Sequence, residues 1–276
     1  MLKRLTSPTV AERLERLDVP FNRYGLDPLG ISRRHLGPFL SGLEVFYRHY
    51  FRVQAVGIEH VPASGRAMVV GNHSGGLPVD GGMVMASLFF DLEPPRLVHG
   101  MVEKFANNLP FLSEWFSRVG QLTGLPEHAV RMLERERVLM VFPEGARGTG
   151  KMYKDRYSLV RFGTGFLRIA LQTGTPIVPF AFIGGGEALP VVYHANGLAR
   201  IFRAPYFPVT PYGLPVPLPV PCRVHYGAPM RFEGDGTEPD DVIDGYVQAV
   251  RDRIAALTEE GRAAWTAAGG VWGGAR

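Results

Sequence analysis

The chain has 276 residues, of which 46% are apolar and 20% are charged, and its formal net charge is +4. This composition excludes a disordered chain, which would combine low hydrophobicity with high net charge, and the length allows a substantial core. The single cysteine, Cys222, excludes an internal disulfide framework and a cysteine-rich metal site. Charges interrupt the N-terminal residues and no apolar run is long enough to span a bilayer, so we expect an intracellular protein without a spanning helix.

The positive charge is concentrated in residues 1–52, which hold nine Lys/Arg and five Asp/Glu. No nucleic-acid-binding motif accompanies this excess, so we expect no nucleic-acid partner. A weakly basic segment rich in aromatic residues fits an anionic membrane surface better.

Two helices are predicted in this segment, over residues 8–17 and from His35 to Arg52. In the second, spacings of three and four place five side chains on one face: Phe39, Leu43, Phe46, Tyr47 and Tyr50. This face either packs on the protein core, which is the commoner case, or enters a bilayer. We therefore treat residues 1–52 as a helical segment with an expected role in membrane association.

From Val53 onward, short apolar runs alternate with helical stretches. The predicted strands cover residues 53–59, 67–72, 96–101, 137–142, 176–183 and 222–227, and the predicted helices cover residues 80–91, 112–119, 127–136, 161–173 and 239–258. Such alternation is typical of a mostly parallel sheet flanked by helices. The predicted fold class is therefore α/β.

A histidine and an aspartate follow the second predicted strand. The strand ends at Asn72-His73, a turn rich in glycine and proline follows, and Asp80 opens the next helix. Open α/β folds place ligand sites at such strand ends. The Asp80 carboxylate can orient the imidazole of His73, which can then take a proton from an attacking hydroxyl group. Taken alone, the pair has a simpler explanation, in which Asp80 caps its helix and His73 is an ordinary loop residue.

A second polar loop, Phe142 to Lys151, follows the fourth predicted strand. Its residues 145–151 match the pattern of a phosphate-binding loop, but Met152 stands where such a loop has Ser or Thr, and no apolar helix start follows. We therefore discount a nucleotide triphosphatase. Residues 147–168 contain six Lys/Arg and one acid, which indicates either a patch that attracts a phosphate-bearing substrate or a solvated surface.

Four short blocks occur in order along the chain: Asn-His followed by Asp at 72–80, Lys104 to Gly120, Phe-Pro-Glu-Gly-x-Arg at 142–147, and Thr-Pro-Ile-Val-Pro at 175–179. Together they resemble the glycerolipid acyltransferase family, of the lysophosphatidate acyltransferase (PlsC-like) type. The resemblance covers roughly residues 53 to 230. We therefore assign residues 53–276 to an acyltransferase domain.

The resemblance implies transfer of a fatty acyl group from acyl-CoA or acyl-carrier protein to the hydroxyl group of a glycerolipid, first of all 1-acylglycerol-3-phosphate. It implies a peripheral protein on the cytoplasmic face of a membrane, with the lipid surface as its partner and neither a metal nor another cofactor. His73 is then the general base and Asp80 its orienting partner. Substrate binding is implied for a further five residues: Lys104, Glu144, Gly145, Arg147 and Pro179.

Two features depart from the family pattern. Six residues separate His73 from Asp80, more than the family's usual spacing, and Pro78 stands at the usual position of the acid. The loop must therefore bulge, and its length is similar to that of a branch that acts on neutral acceptors such as diacylglycerol. The family's arginine near the end of the second block is missing from Gly120-Gln121-Leu122-Thr123.

These departures leave alternatives open. Diacylglycerol and other lysophospholipids remain possible acceptors beside 1-acylglycerol-3-phosphate. A function of another class, a non-catalytic lipid-binding protein on the same fold, also remains open, and acyl-CoA turnover distinguishes it from an enzyme.

Overall fold

The computed structural model describes residues 5–102, 112–201 and 205–270. Within them the chain forms nine strands: β1 (Gln54–Val56), β2 (Ala67–Gly71), β3 (Val98–Val102), β4 (Leu122–Thr123), β5 (Val138–Val141), β6 (Ile177–Ile183), β7 (Tyr193–His194), β8 (Pro208–Val209) and β9 (Arg223–Tyr226). Seven strands form one sheet in the order β1-β9-β6-β2-β5-β3-β4, and β7 pairs with β8 in a separate ribbon.

The described residues also form ten α-helices. They are α1 (Pro8–Glu15), α2 (Arg33–Val45), α3 (Val79–Phe90), α4 (Leu112–Arg118), α5 (Pro126–Glu134), α6 (Ala146–Thr149), α7 (Gly165–Gln172), α8 (Gly185–Ala188), α9 (Asn196–Ile201) and α10 (Asp240–Ala267). The predicted helices are all present, and α10 extends beyond its predicted end. The short elements α6, α8, α9, β4, β7 and β8 were not predicted, because two to six residues carry too little periodicity to recognise.

Neighbouring strands of the sheet run parallel except β6 and β9, which are antiparallel. The six predicted strands are all present, and the prediction of a mostly parallel α/β sheet flanked by helices is confirmed. Because β6, β2 and β5 are adjacent and parallel, the loops that follow these three strands meet at one edge of the sheet.

Strand β2 shows how the two faces of the sheet are filled. Side chains alternate along a strand, so Val69 packs with the cluster that includes α2 and α3, whereas Met68 and Val70 pack with residues of α5, α7 and α10. All residues of β2 and β6 are buried, as expected of strands covered by helices on both faces.

The N-terminal helices share the core of the sheet. Leu36, Leu40 and Tyr47 are buried in the same cluster as Val69. A π-helical turn follows α2, in which the Phe51 N–H donates to the Phe46 carbonyl, and the extra residue rotates the chain relative to α-helical spacing. Of the predicted aromatic face, Tyr47 is buried, whereas Phe46 is 46% exposed. The membrane role of residues 1–52 stays a prediction.

None of the helices in residues 5–102, 112–201 and 205–270 is both long and apolar enough to cross a membrane.

Candidate active site

The polar residues predicted from the sequence lie at the edge where β2, β5 and β6 end. His73 follows β2, Glu144 follows β5, and the turn that leads into α8 follows β6. Asn72 joins two of these strands, since its side-chain amide donates to the Phe182 carbonyl at 3.1 Å and its oxygen accepts the Phe182 N–H at 2.7 Å. The loop that carries His73 is thereby fixed to β6.

His73 and Asp80 form a hydrogen-bonded pair. The distance from His73 Nδ1 to Asp80 Oδ2 is 2.7 Å, and the Asp80 side chain is fully buried. The carboxylate also accepts the backbone N–H groups of Ser74 at 3.0 Å and Gly81 at 2.8 Å. An ionised carboxylate only accepts hydrogen bonds, so Nδ1 carries the proton and Nε2 is left as the basic nitrogen.

The long loop between these two residues bends as the sequence requires. Gly75 and Gly76 have φ values of +91° and +69°, a region that glycine enters without steric cost. The Gly76 N–H donates to the Thr149 carbonyl at 2.9 Å. The two glycines thus absorb the extra length and return Asp80 to the imidazole.

Glu144 supports His73 from behind. Its Oε1 accepts the His73 backbone N–H at 2.9 Å, and its Oε2 accepts the Val160 N–H at 2.9 Å. Lys151 Nζ lies 2.7 Å from Glu144 Oε2 and also donates to the Ser158 carbonyl at 2.8 Å. Both side chains of this ion pair are buried. Contact between Glu144 and a substrate stays a prediction.

The turn over residues 145–148 presses against the same histidine. A Cβ on Gly148 would lie 2.8 Å from both His73 Cβ and Glu144 Cβ, so only glycine fits there. Gly145 has a φ of +57°. Arg147 is exposed, and its Nη2 donates to the Arg161 carbonyl at 3.3 Å. The turn therefore places a solvent-facing guanidinium next to the His73 loop.

The His73 imidazole stacks on the ring of Phe142. The ring centroids are 4.0 Å apart and the planes meet at 14°, and Phe142 in turn makes an edge contact with Phe180 at 5.7 Å. The stack holds the imidazole plane while Asp80 holds its Nδ1 edge. Sequence reasoning missed this role for Phe142, because the orientation of a ring at a strand end depends on the register of the neighbouring strands.

Residues 145–151 do not form a phosphate-binding loop, because their lysine is turned into the protein. Lys151 is bound to Glu144 and Ser158 inside the protein, so it does not face a ligand. The predicted basic patch over residues 147–168 also has fewer exposed cations than its sequence suggests. Arg156 is paired with Glu187 at 2.7 Å, and Arg168 donates to the Gly236 carbonyl at 2.8 Å. The exposed cations of this stretch are Arg147, Lys154 and Arg161.

Lys104 and Pro179 are the remaining predicted site residues. Lys104 lies outside the described residues. Pro179 is buried within β6 opposite Val70, and it is the following residue, Phe180, that reaches Phe142. Gln121 turns toward β3, where its Oε1 accepts the Gly100 N–H at 2.9 Å.

The turn after β6 packs directly behind the histidine loop. A Cβ on Gly75 would lie 2.6 Å from the Gly185 carbonyl oxygen. Glu187 accepts hydrogen bonds from Arg156 Nε at 2.7 Å and from the Tyr157 hydroxyl at 2.9 Å. Burial is the largest cause that raises the pKa of the Tyr157 phenol, so this hydroxyl stays protonated.

Across the part of the chain that the structure describes, no group of three or more His, Cys, Asp or Glu residues is arranged to hold a metal ion.

The family model for acyltransferases matches residues 52–183, the stretch that contains both loops. This match and the likenesses described below confirm the resemblance to PlsC-like glycerolipid acyltransferases.

Several known proteins are similar to this chain. An uncharacterized protein of Mycobacterium leprae is 37% identical over 233 residues, which are 81% of this chain and 62% of the relative. A counterpart in Mycobacterium tuberculosis is 36% identical over 233 residues, 81% of this chain and 64% of the relative. The chain therefore spans less than two thirds of the length of these relatives.

A more distant relative and a solved structure carry functional names. The 1-acyl-sn-glycerol-3-phosphate acyltransferase of Limnanthes alba is 29% identical over 235 residues, 78% of this chain and 66% of the relative. The crystal structure of the 1-acyl-sn-glycerophosphate acyltransferase PlsC from Thermotoga maritima matches with a TM-score of 0.55 at 17% identity, covering 83% of this chain and 81% of that one. This structural match shows a shared fold.

Proposed function

We propose that the chain is a membrane-associated O-acyltransferase that moves a fatty acyl group from acyl-CoA or acyl-carrier protein to the hydroxyl group of a glycerolipid. The first candidate acceptor is 1-acylglycerol-3-phosphate, and the alternatives are another lysophospholipid and diacylglycerol. We further propose that it acts as a peripheral protein at the cytoplasmic face of a membrane. The match to the acyltransferase family model and the name of the plant relative support this reaction class.

The observation that carries the proposal is the His73–Asp80 pair. A general base needs one ring nitrogen held by a partner and the other available to a substrate. The 2.7 Å contact at Nδ1 meets the first condition. The second is part of the proposal and is supported by the 12% exposure of the His73 side chain, which is not fully closed off from solvent. A buried structural histidine would not leave a basic nitrogen at an edge of the sheet.

The proposed reaction is direct transfer. His73 Nε2 takes the proton of the acceptor hydroxyl group, and the oxygen attacks the carbonyl carbon of the thioester. Backbone N–H groups of the glycine-rich turns are the proposed donors to the negatively charged oxygen of the intermediate. The carbon–sulfur bond then breaks, and the leaving thiolate takes the proton from the imidazolium, which Asp80 has stabilised. The products are an ester and a free thiol.

Two observations bear on the choice of acceptor. Exposed Arg147 next to the His73 loop favours an acceptor that carries a phosphate. Gln121, in the block where the family has an arginine, is engaged with β3 and offers no charge. We therefore rank lysophosphatidate first and keep neutral acceptors as alternatives.

A panel of acceptors tests the proposal. Purified protein is incubated with one acyl-CoA and, in turn, with 1-acylglycerol-3-phosphate, other lysophospholipids and diacylglycerol, and the products are identified by mass spectrometry. We expect the largest ester yield with 1-acylglycerol-3-phosphate, and a lower yield from Arg147→Ala with this acceptor but not with diacylglycerol. Binding of lipid without any ester product would favour the lipid-binding alternative.

A further inference from the structure

The structure exposes a group of apolar side chains at the start of β7, in α9 and in the chain between β8 and β9. Leu214 is 66% exposed, and the others that belong to the group are Val192, Tyr193, Leu198, Tyr212 and Val216. We call these six residues the apolar rim. The segments that carry them are adjacent, since the Val192 N–H donates to the Val209 carbonyl at 2.9 Å and Thr210 Oγ1 donates to the Leu214 carbonyl at 2.8 Å. Patches of exposed apolar side chains mark sites of interaction.

The rim is continuous with the end of the second helix. Tyr50 Oη donates to the Pro217 carbonyl at 2.7 Å, and Arg52 Nη2 donates to the Pro219 carbonyl at 3.1 Å. The ring of Tyr50 contacts the exposed ring of Phe46 at a centroid distance of 5.6 Å. The apolar surface therefore extends from the rim to the π-helical turn after α2.

The rim also borders the proposed active site. A Cβ on Gly76 would lie 3.0 Å from side-chain atoms of Leu189 and Val191 and 3.1 Å from Pro208. On the second loop, His194 Nε2 lies within hydrogen-bonding distance of the Gly150 carbonyl, at 2.8 Å. Both loops around His73 thus touch the ribbon that carries Val192 and Tyr193.

The charge of this region suits an anionic lipid surface. Between Glu187 and Glu233 the sequence contains no acid and four arginines, so no carboxylate of this stretch repels a negatively charged headgroup. Arg48 and Arg52 are exposed beside it, at the end of the second helix. Apolar side chains flanked by cations are the combination that binds the interface of an anionic bilayer.

We propose that the apolar rim, together with Phe46, is the surface that docks this protein on a lipid bilayer. The choice of a bilayer rather than a protein partner rests on the proposed function, since a lipid acceptor is supplied from a membrane. Docking through the rim places the edge of the sheet that carries His73 against the bilayer. A lipid can then reach the His73–Asp80 pair without crossing water. Of the second helix, the proposed surface uses the exposed Phe46, whereas Leu36, Leu40 and Tyr47 pack in the protein core.

The test is sedimentation with vesicles of equimolar phosphatidylcholine and phosphatidylglycerol, without an acyl donor. The variant carries Leu214→Glu and Val216→Glu, both at exposed positions. The matched control carries Val56→Glu and Val242→Glu, which add the same charge at exposed apolar side chains outside both the rim and residues 1–52. We expect vesicle affinity to fall by at least about tenfold in the rim variant and to change little in the control.

Three results would overturn the proposal: no vesicle binding by the unmodified protein, undiminished binding by the rim variant, or an equal loss in the control. Acyl transfer to a water-soluble short-chain acceptor separates this proposal from the proposed function. We expect the rim variant to retain that transfer. If the unmodified protein transfers no acyl group to any acceptor, the proposed function fails, while the vesicle result still decides the docking surface.

Discussion

The His73 loop and the apolar rim touch each other, yet they are built in opposite ways. In the loop, Asp80 and Glu144 are buried and each accepts several hydrogen bonds. In the rim, the large side chains face solvent, and the chain is held by a few bonds such as that from Tyr212 Oη to the Val216 carbonyl at 2.7 Å. The hydrogen bonds of the loop hold the His73 imidazole in one orientation, whereas the exposed side chains of the rim form a surface that a lipid bilayer can cover.

The largest expected effect comes from removing the base in the loop. His73→Ala should lower the rate of acyl transfer by about 10²–10⁴-fold, the usual contribution of general base catalysis. The protein should stay folded, because Asp80 keeps its two backbone donors. Rates of product formation and urea denaturation of the same preparation provide both measurements. Unchanged turnover would remove His73 from the mechanism.

A smaller effect is expected when the orienting acid loses its charge. Asp80→Asn retains the shape of the side chain but no longer stabilises an imidazolium, so we expect a loss of about 10²-fold in kcat. KM should be nearly unchanged, because Asp80 is buried away from substrate. Steady-state kinetics separates the two constants. A rise in KM at constant kcat would mean that Asp80 acts in binding instead.

The support behind the histidine should appear mainly in stability. Lys151→Met leaves the buried carboxylate of Glu144 without its cation, which typically costs about 3–5 kcal/mol. The double variant Glu144→Gln with Lys151→Met should lose less, because no buried charge is left unpaired. Urea denaturation measures both free energies of unfolding. If the single variant were as stable as the unmodified protein, the ion pair would not hold the loop.

A fourth prediction concerns the sheet beside the site, where His99 is fully buried on β3. Burial, the largest cause, lowers the pKa of His99 from 6.5 to about 4. The unfolded chain therefore binds a proton at this position between about pH 6.5 and 4 while the folded protein does not, so stability falls as the pH falls through that window. The size of the effect is on the order of 3 kcal/mol.

Unfolding free energies measured across that pH window test this prediction. The variant His99→Gln keeps a polar side chain without a titrating group, so its stability should decline less between about pH 6.5 and 4. An identical decline in the variant would show that other groups control acid stability.

Several parts of this account could be predicted from the sequence. The alternation of strands and helices predicted the sheet, and His73 and Asp80 were paired although the loop between them is long. This prediction succeeded because Gly75 and Gly76 can adopt the positive φ values that a turn back toward His73 requires. In such cases the residues close in sequence determine the local backbone conformation.

Other parts depend on contacts between distant segments. The face of the second helix was predicted only in part, because Tyr47 is buried by the protein core while Phe46 is left 46% exposed. The sequence places Lys151 in a basic stretch and does not show that it pairs with the buried carboxylate of Glu144. The apolar rim was also missed, because exposure is set by what packs against a segment and not by its composition.

The most direct test of the central claim measures both products of one reaction. Purified protein is mixed with acyl-CoA and vesicles that contain 1-acylglycerol-3-phosphate, and the released thiol and the new ester are quantified together. Transfer catalysed by the His73–Asp80 pair predicts one thiol for each ester over many turnovers, with both lost together in His73→Ala. Thiol release without ester would indicate hydrolysis, and binding without either product would contradict the assignment as an enzyme.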